Sequence, residues 1–214
     1  MGTSPDDPLA PFHSPRWLSE AQRKSIHLGA LVLPLAMLYE WTPWPRGRHP
    51  WLLLLALLTA AAIVIDLVRI SDRRVQRFFK AFFGELIREH ERFTLLGSTF
   101  LLIAAMLVTE LFPQRLAAAA IGFTVLGDGV AALVGRGWGR TRVFAKSLEG
   151  ALGGLTACLL WAGFLAATGH LPIAVGLAGA LTAMLIEILP LPLDDNLGIT
   201  LASAAVMRLL WAPM

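Results

Sequence analysis

The chain has 214 residues, of which 56% are hydrophobic and 15% are charged, and its formal net charge is +3. This composition is too apolar and too poor in charge for an ordinary soluble domain, and it indicates a protein that is solvated by a bilayer. A single cysteine, Cys158, excludes a disulfide or a thiolate metal cluster built from this chain. The basic residues lie between apolar runs, so their excess indicates membrane topology and no nucleic-acid partner.

The predicted architecture is an all-α, polytopic helical bundle in the membrane. Residues 1–20 contain no apolar run and predict a disordered cytoplasmic tail, followed by one transmembrane domain of residues 21–214. Apolar runs separated by polar, Gly or Pro residues predict about seven transmembrane helices, with six or eight as alternatives. In chain order these runs cover residues 26–41, 51–68, 95–112, 115–134, 150–168, 171–189 and 197–212.

The basic residues predict the orientation of this bundle. With an odd number of spans, fourteen Lys and Arg residues fall on one side and four on the other. The positive-inside rule then places the amino terminus in the cytoplasm, at the cell membrane if the protein is bacterial. Acidic residues that the rule does not use, Asp66, Asp128, Glu187 and Asp194, fall on the same face. Their convergence favours one polar site at the cytoplasmic side.

The segment after the second span predicts an amphipathic helix. Its apolar residues recur with helical spacing, opposite to Arg, Lys and Glu, and indicate a helix in the membrane interface. Packing of the same stripe against the bundle is the alternative. The stripe comprises Val75, Phe78, Phe79, Phe82, Phe83, Leu86 and Ile87.

The segment from residue 127 to residue 150 carries the strongest chemical pattern. Asp128 ends an apolar run, and an ionisable residue within a span indicates function by default. The alternative is a helix-end carboxylate paired with Arg136 or Arg140. Glycines that alternate with arginines predict a phosphate-binding loop, because glycine lets backbone amides approach an anion and Arg matches phosphate oxygens. The proposed phosphate-binding residues here are Gly127, Gly135, Arg136, Gly139, Arg140, Lys146, Ser147, Glu149 and Gly150.

Lys146-Ser147 is similar to the end of a P-loop, but Arg140 and Ala145 stand where an ordinary Walker A motif requires glycine. Ser147 is instead predicted to be the N-cap of the fifth span, which would direct the positive end of that helix at a phosphate. Near the amino terminus, Arg23, Lys24 and His27 share a helix face. His27 would contact phosphate or only the interface.

A late acidic group predicts a Mg²⁺ site. Carboxylate and amide oxygens suit Mg²⁺, which proteins hold with one or two carboxylates and the phosphates of a substrate. Capping of the last span by Asp195 or Asn196 is the structural alternative. Together with Asp128, the predicted ligands are Glu187, Asp194, Asp195 and Asn196.

These motifs together resemble a family of membrane lipid kinases. Arg23-Lys24-x-x-His27, Gly127-Asp128, Gly135-Arg136-x-x-Gly139, Lys146-Ser147-x-Glu149-Gly150 and the late Glu187 to Asn196 look like the dolichol kinases, phytol kinases and CTP-dependent diacylglycerol kinases. The resemblance implies phosphoryl transfer from a nucleoside triphosphate, typically CTP, to the hydroxyl of a lipid such as a polyprenol, phytol or diacylglycerol. Carried over by position, the principal site residues are Arg23, Lys24, Asp128, Gly135, Lys146 and Glu149. One position differs from the pattern: this chain has Gly129 where many relatives carry Ala or another small residue.

Three other functions fit the sequence less well. A phosphatidate cytidylyltransferase also joins CTP, Mg²⁺ and a lipid, but the chain lacks a late His-Gly-Gly segment followed by Asp-Arg-x-Asp. The carboxylate pattern of CDP-alcohol phosphatidyltransferases is broken after Asp128-Gly129. A non-enzymatic transporter or scaffold would use Asp66, Asp128 and Glu187 along a path, but transporters favour midplane charges and internal repeats. The sequence therefore predicts a lipid kinase.

Overall fold

A computed structural model of the chain describes residues 16–83, 91 and 93–211. Within these residues the protein consists of α-helices and one short hairpin, which confirms the all-α class. The elements in chain order are α1 Arg16–Gly29, α2 Val32–Tyr39, α3 Arg48–Ser71, α4 Arg73–Phe83, α5 Gly97–Leu111, α6 Gln114–Trp138, β1 Arg142–Val143, β2 Lys146–Ser147, α7 Leu148–Ala167, α8 Ile173–Ile188 and α9 Asp195–Leu210. Of the predicted tail, residues 1–15 lie outside the described residues, and residues 16–20 belong to α1.

Helix α6 is the centre of the bundle. It packs against α1, α2, α5, α7, α8 and α9, and small residues in its first half, from Ala117 to Ala120, are fully buried. Small side chains let neighbouring helices approach closely, which is how membrane helices gain packing energy. The central helix therefore carries Asp128 into the interior of the protein.

Three described helices, α3, α6 and α7, are long and apolar enough to cross a membrane, and α5 and α8 are shorter apolar helices. Helix α3 presents much of its apolar surface outward: Leu53, Leu57 and Val64 are all more than half exposed. An outward-facing aliphatic surface is expected where the neighbour is lipid, because acyl chains are as apolar as leucine.

The first predicted span, residues 26–41, is not one helix. Pro34 has no N–H to donate to Ala30, and its ring crowds that carbonyl. The chain responds with tight turn bonds, from the Leu31 amide to the Leu28 carbonyl at 3.0 Å and from the Leu33 amide to the Ala30 carbonyl at 3.0 Å. Helix α1 therefore ends at Gly29, and α2 starts at Val32.

The predicted glycine-rich loop is also different in the structure. Residues 135–138 form the last turn of α6, so their backbone amides donate to carbonyls of the preceding helical turn. An antiparallel hairpin follows, in which Arg142 pairs with Ser147 and Val143 with Lys146. Phe144 in its turn has a φ of 55°.

Helix α4 confirms the amphipathic segment for the residues that are described. Phe78, Phe82 and Phe83 are 53%, 70% and 45% exposed, so the described bundle does not cover the aromatic stripe. Leu86 and Ile87 of the predicted stripe lie outside the described residues. The exposure of the rings argues against packing of the stripe on the described bundle, and a position in the membrane interface stays a prediction.

Candidate active site

Asp128 lies on α6 and is buried, with 8% of its surface exposed. Its Oδ2 atom accepts a hydrogen bond from Lys24 Nζ and lies 3.4 Å from His27 Nε2. Both partners are on α1, and Lys24 is 104 residues away in sequence. Because a buried carboxylate without a partner is costly, the ion pair stabilises the packing of α1 against α6. Two of the predicted amino-terminal site residues thus meet Asp128.

Lys146 lies between two other acids of the predicted site. Its Nζ atom is 3.0 Å from Glu187 Oε1 and 2.9 Å from Asp195 Oδ2. Burial by itself lowers the pKa of Lys146, but the negative charges of Glu187 and Asp195 more than offset this, and the pKa lies above its usual value. Lys146 therefore carries its full positive charge at neutral pH.

The three carboxylates form one cluster. An oxygen from each of Asp128, Glu187 and Asp195 lies within 4.8 Å of the other two. Glu187 Oε2 is buried and has no hydrogen-bond partner among the described residues. Carboxylate oxygens are the ligands that Mg²⁺ prefers. A buried oxygen without a hydrogen-bond partner, such as Glu187 Oε2, can coordinate a cation. The donor set fits a divalent cation.

The other predicted metal ligands serve α9. Asp194 is its N-cap: Asp194 Oδ1 accepts hydrogen bonds from the Asn196 amide at 3.0 Å and from Asn196 Nδ2 at 2.9 Å. Asn196 Nδ2 also donates to the Gly97 carbonyl at 3.2 Å, which ties α9 to the start of α5. Burial raises the pKa of Asp194, and the hydrogen bonds from Asn196 act in the opposite direction. Asp194 lies outside the three-carboxylate cluster, and metal binding by Asp194 and Asn196 stays a prediction.

Glu149 holds the connection between α6 and α7. Its carboxylate accepts hydrogen bonds from the backbone amides of Arg140 and Thr141, each at 3.0 Å. Ser147 is the N-cap of α7, as predicted, since its Oγ accepts from the Gly150 amide at 3.2 Å. These bonds fix the hairpin from which Lys146 extends.

Glycines of the motif allow α6 and α7 to touch through their backbones. A Cβ on Gly150 would lie 2.6 Å from the Ala131 carbonyl oxygen and 3.0 Å from the Gly135 Cα. A Cβ on Gly135 would lie 2.7 Å from Ser147 Oγ. A Cβ on Gly127 would lie 3.0 Å from Cys158 Sγ. The glycines therefore position the site by close helix packing, and binding of phosphate at Gly127, Gly135, Gly139 and Gly150 stays a prediction.

The predicted phosphate-binding arginines differ in their exposure. Arg136 and Arg140 are exposed on the last turn of α6 and on the following loop, and Arg23 is half-buried on α1. No described contact joins Arg140 to the three carboxylates. Phosphate binding by these arginines and by His27 also remains a prediction.

A second buried polar group lies at the end of α3. Asp66 and Arg69 form an ion pair with an Nη2 to Oδ1 distance of 3.0 Å. Asp66 Oδ2 accepts from the Leu96 amide at 2.9 Å and from Thr99 Oγ1 at 2.7 Å. Because every charge is satisfied within the fold, this pair is structural. The sequence did not reveal that Gly97, in the same connection, anchors Asn196, since no pattern links residues 99 positions apart.

Comparison with known proteins gives two relatives. The chain is 30% identical over 161 residues to the CTP-dependent diacylglycerol kinase 1 of Schizosaccharomyces pombe, covering 68% of this chain and 74% of that protein. It is 31% identical over 134 residues to an uncharacterized protein of Rickettsia prowazekii, covering 61% of this chain and 63%, slightly under two thirds, of that protein. No family model matches the chain. No solved structure matches it either.

Proposed function

Because the chain belongs to the same family as the CTP-dependent diacylglycerol kinase 1 of Schizosaccharomyces pombe, we propose that it is a multi-pass membrane lipid kinase. It transfers the γ-phosphate of CTP to the hydroxyl of a lipid alcohol. Diacylglycerol is the first acceptor to test, followed by the polyprenols and phytol used by the families that the sequence resembles.

One observation supports this proposal above the others. The acids and lysines that the sequence singled out in four separate segments meet at one end of the bundle, where Lys24 pairs with Asp128 and Lys146 pairs with Glu187 and Asp195. Phosphoryl transfer needs positive groups and metal ligands close together, because the protein mainly positions the reactants and neutralises charge. The lysines and carboxylates at this end of the bundle supply both kinds of group.

The residues have distinct proposed roles. Asp128, Glu187 and Asp195 hold Mg²⁺, and Lys24, Lys146 and the surrounding Arg23, Arg136 and Arg140 neutralise the triphosphate. When bound, Mg²⁺ draws electron density from the phosphate oxygens and stabilises the leaving diphosphate. The lipid oxygen forms a bond to the γ-phosphorus, the bond from that phosphorus to the bridging oxygen breaks, and CDP leaves. The proton of the lipid hydroxyl passes to Asp128 or, where Asp128 is a metal ligand, to a phosphate oxygen of the nucleotide.

The proposed membrane arrangement has seven crossings. Helices α1 and α2 together make the first, and α3, α5, α6, α7, α8 and α9 make the others, with α4 in the interface. This places the site and the amino terminus in the cytoplasm, where CTP is found, and leaves the lipid hydroxyl to reach the site from within the bilayer.

Membranes that contain the expressed protein, incubated with CTP labelled at either the α- or the γ-phosphate and with a panel of lipid alcohols, test the function. The proposal predicts that γ-label enters the lipid and α-label does not. Label from the α-position in the lipid would indicate cytidylyl transfer and refute the proposal. Absence of any lipid product with every acceptor and either nucleotide label would refute a kinase with this donor.

A further inference from the structure

We propose, on the basis of the proposed function, that the Lys146 ammonium changes partners when metal and nucleotide bind. In the free protein this ammonium holds the carboxylates of Glu187 and Asp195, which Mg²⁺ takes in the loaded protein. Arrival of the metal with its nucleotide releases Lys146, which then binds the triphosphate. Lys146 is thus a positioning residue that couples metal binding to nucleotide binding.

The contacts of Lys146 carry the first step of this inference. Its Nζ atom lies within 3.0 Å of both Glu187 Oε1 and Asp195 Oδ2, and oxygens of these two acids also belong to the cluster with Asp128. Three carboxylates this close repel one another unless cations lie among them. An ammonium and a divalent cation compete for the same two carboxylates and repel each other at this distance, so binding of one disfavours the other.

The two lysines of the site differ in their freedom to move. The side chain of Lys24 is 4% exposed and is enclosed between α1 and α6, whereas the side chain of Lys146 is 29% exposed and extends from a two-residue strand. Lysine is a flexible, strongly hydrated point charge that binds phosphate well. Lys146 is therefore the lysine that can leave its carboxylates for a phosphate.

The position of Lys146 in the chain supplies its second partner. It immediately precedes Ser147, the N-cap of α7, and the dipole at the start of a helix favours phosphate. A triphosphate bound near this end would lie within reach of the released ammonium. Exchange of partners then makes binding of metal and of nucleotide mutually favourable, as linkage requires.

Binding of Mn²⁺ to the purified, nucleotide-free protein tests the exchange without measuring turnover. Electron paramagnetic resonance of free Mn²⁺ gives the dissociation constant for the wild type, Lys146→Gln, Lys146→Arg and Arg142→Gln. We expect Lys146→Gln to bind Mn²⁺ about tenfold more tightly than the wild type, because the competing ammonium is gone. Lys146→Arg keeps a competing cation and should resemble the wild type.

Arg142→Gln is the matched control, since it removes the same charge from the paired strand without a described contact to the carboxylates. An equal gain in Arg142→Gln would show a general charge effect and overturn the exchange. Unchanged or weaker Mn²⁺ binding in Lys146→Gln, with its thermal unfolding still cooperative, would also overturn it. Added Mn²⁺ should raise the unfolding temperature of Lys146→Gln more than that of the wild type.

The outcome is separable from that of the proposed function. Tighter Mn²⁺ binding by Lys146→Gln in a protein that phosphorylates no lipid would support the cation exchange and refute the kinase. Lipid phosphorylation by a wild type whose Mn²⁺ affinity is insensitive to Lys146→Gln would support the kinase and refute the exchange.

Discussion

Neighbouring side chains at the start of α9 have different tasks, although the sequence makes them look alike. Asp194 caps the helix through Asn196, whereas Asp195 contacts Lys146 and belongs to the carboxylate cluster. The sequence offered metal binding and capping as alternatives for this group. In the structure Asp194 caps the helix, although the sequence suggested Asp195 or Asn196 as the cap.

This division gives a paired prediction. Asp194→Ala should lower the free energy of unfolding by about 0.5–2 kcal/mol, because the amide of Asn196 loses its cap, and should leave the Mg²⁺ requirement unchanged. Asp195→Asn should raise the Mg²⁺ concentration needed for half-maximal activity with little change in stability. Thermal unfolding and a Mg²⁺ titration of both variants check this. A Mg²⁺ curve for Asp195→Asn that overlays the wild type would remove Asp195 from the ligand set.

Patterns along the sequence identified most of the charged groups of the site, because an acid or a lysine in an apolar environment is conspicuous. They did not show which charge pairs with which. Lys24 meets Asp128 from 104 residues away, and Lys146 reaches two acids on different helices. Pairing depends on how the helices pack, which local spacing does not contain.

Among the helices, the contact of α6 with α7 sets the position of the hairpin. Gly150→Ala should destabilise the protein, because its Cβ would lie 2.6 Å from the Ala131 carbonyl oxygen and overpacking costs about 1–3 kcal/mol. It should also reduce activity, since Ser147 and Lys146 would shift. Unfolding temperature and turnover are the measurements.

Gly163 in the same helix is the matched control, because a Cβ there meets nothing within 4 Å. Gly163→Ala should keep or raise the unfolding temperature, since alanine favours the helix over glycine by about 1 kcal/mol. Equal effects of the two substitutions would show that helix propensity, and not close packing, governs the motif.

Helix positions follow the apolar runs closely for α3, α5, α6, α7, α8 and α9, because burial in lipid or in the bundle requires long apolar stretches. Two features departed from the prediction. Pro34 divided the first run, and Gly135 and Gly137 lie in the last turn of α6, where a loop was predicted. Pro34 acts locally, through its missing N–H and its ring, whereas helical backbone bonding of residues 135–138 decided between conformations that the local sequence permits.

The whole bundle has an orientation that cysteine accessibility can test. Ala81, Ala145 and Thr42 are exposed and uncharged, so cysteine substitutions there leave the charge distribution intact, and the native Cys158 is buried. We expect Ala81→Cys and Ala145→Cys to react with an impermeant maleimide from the cytoplasmic side only, and Thr42→Cys from the opposite side only. Labelling of Ala81→Cys and Ala145→Cys from opposite sides would contradict the proposed topology.

The turnover of Asp128→Asn tests the proposed active site most directly. Asp128 lies on the central helix α6, pairs with Lys24 and belongs to the carboxylate cluster. The substitution removes a charge at nearly constant volume, so membrane insertion should be unaffected or easier. Initial rates of label transfer from γ-labelled CTP to diacylglycerol are compared for equal amounts of inserted wild-type and variant protein. We predict a loss of about a hundredfold or more in kcat. Retention of more than about a tenth of the wild-type rate would contradict a catalytic role for Asp128.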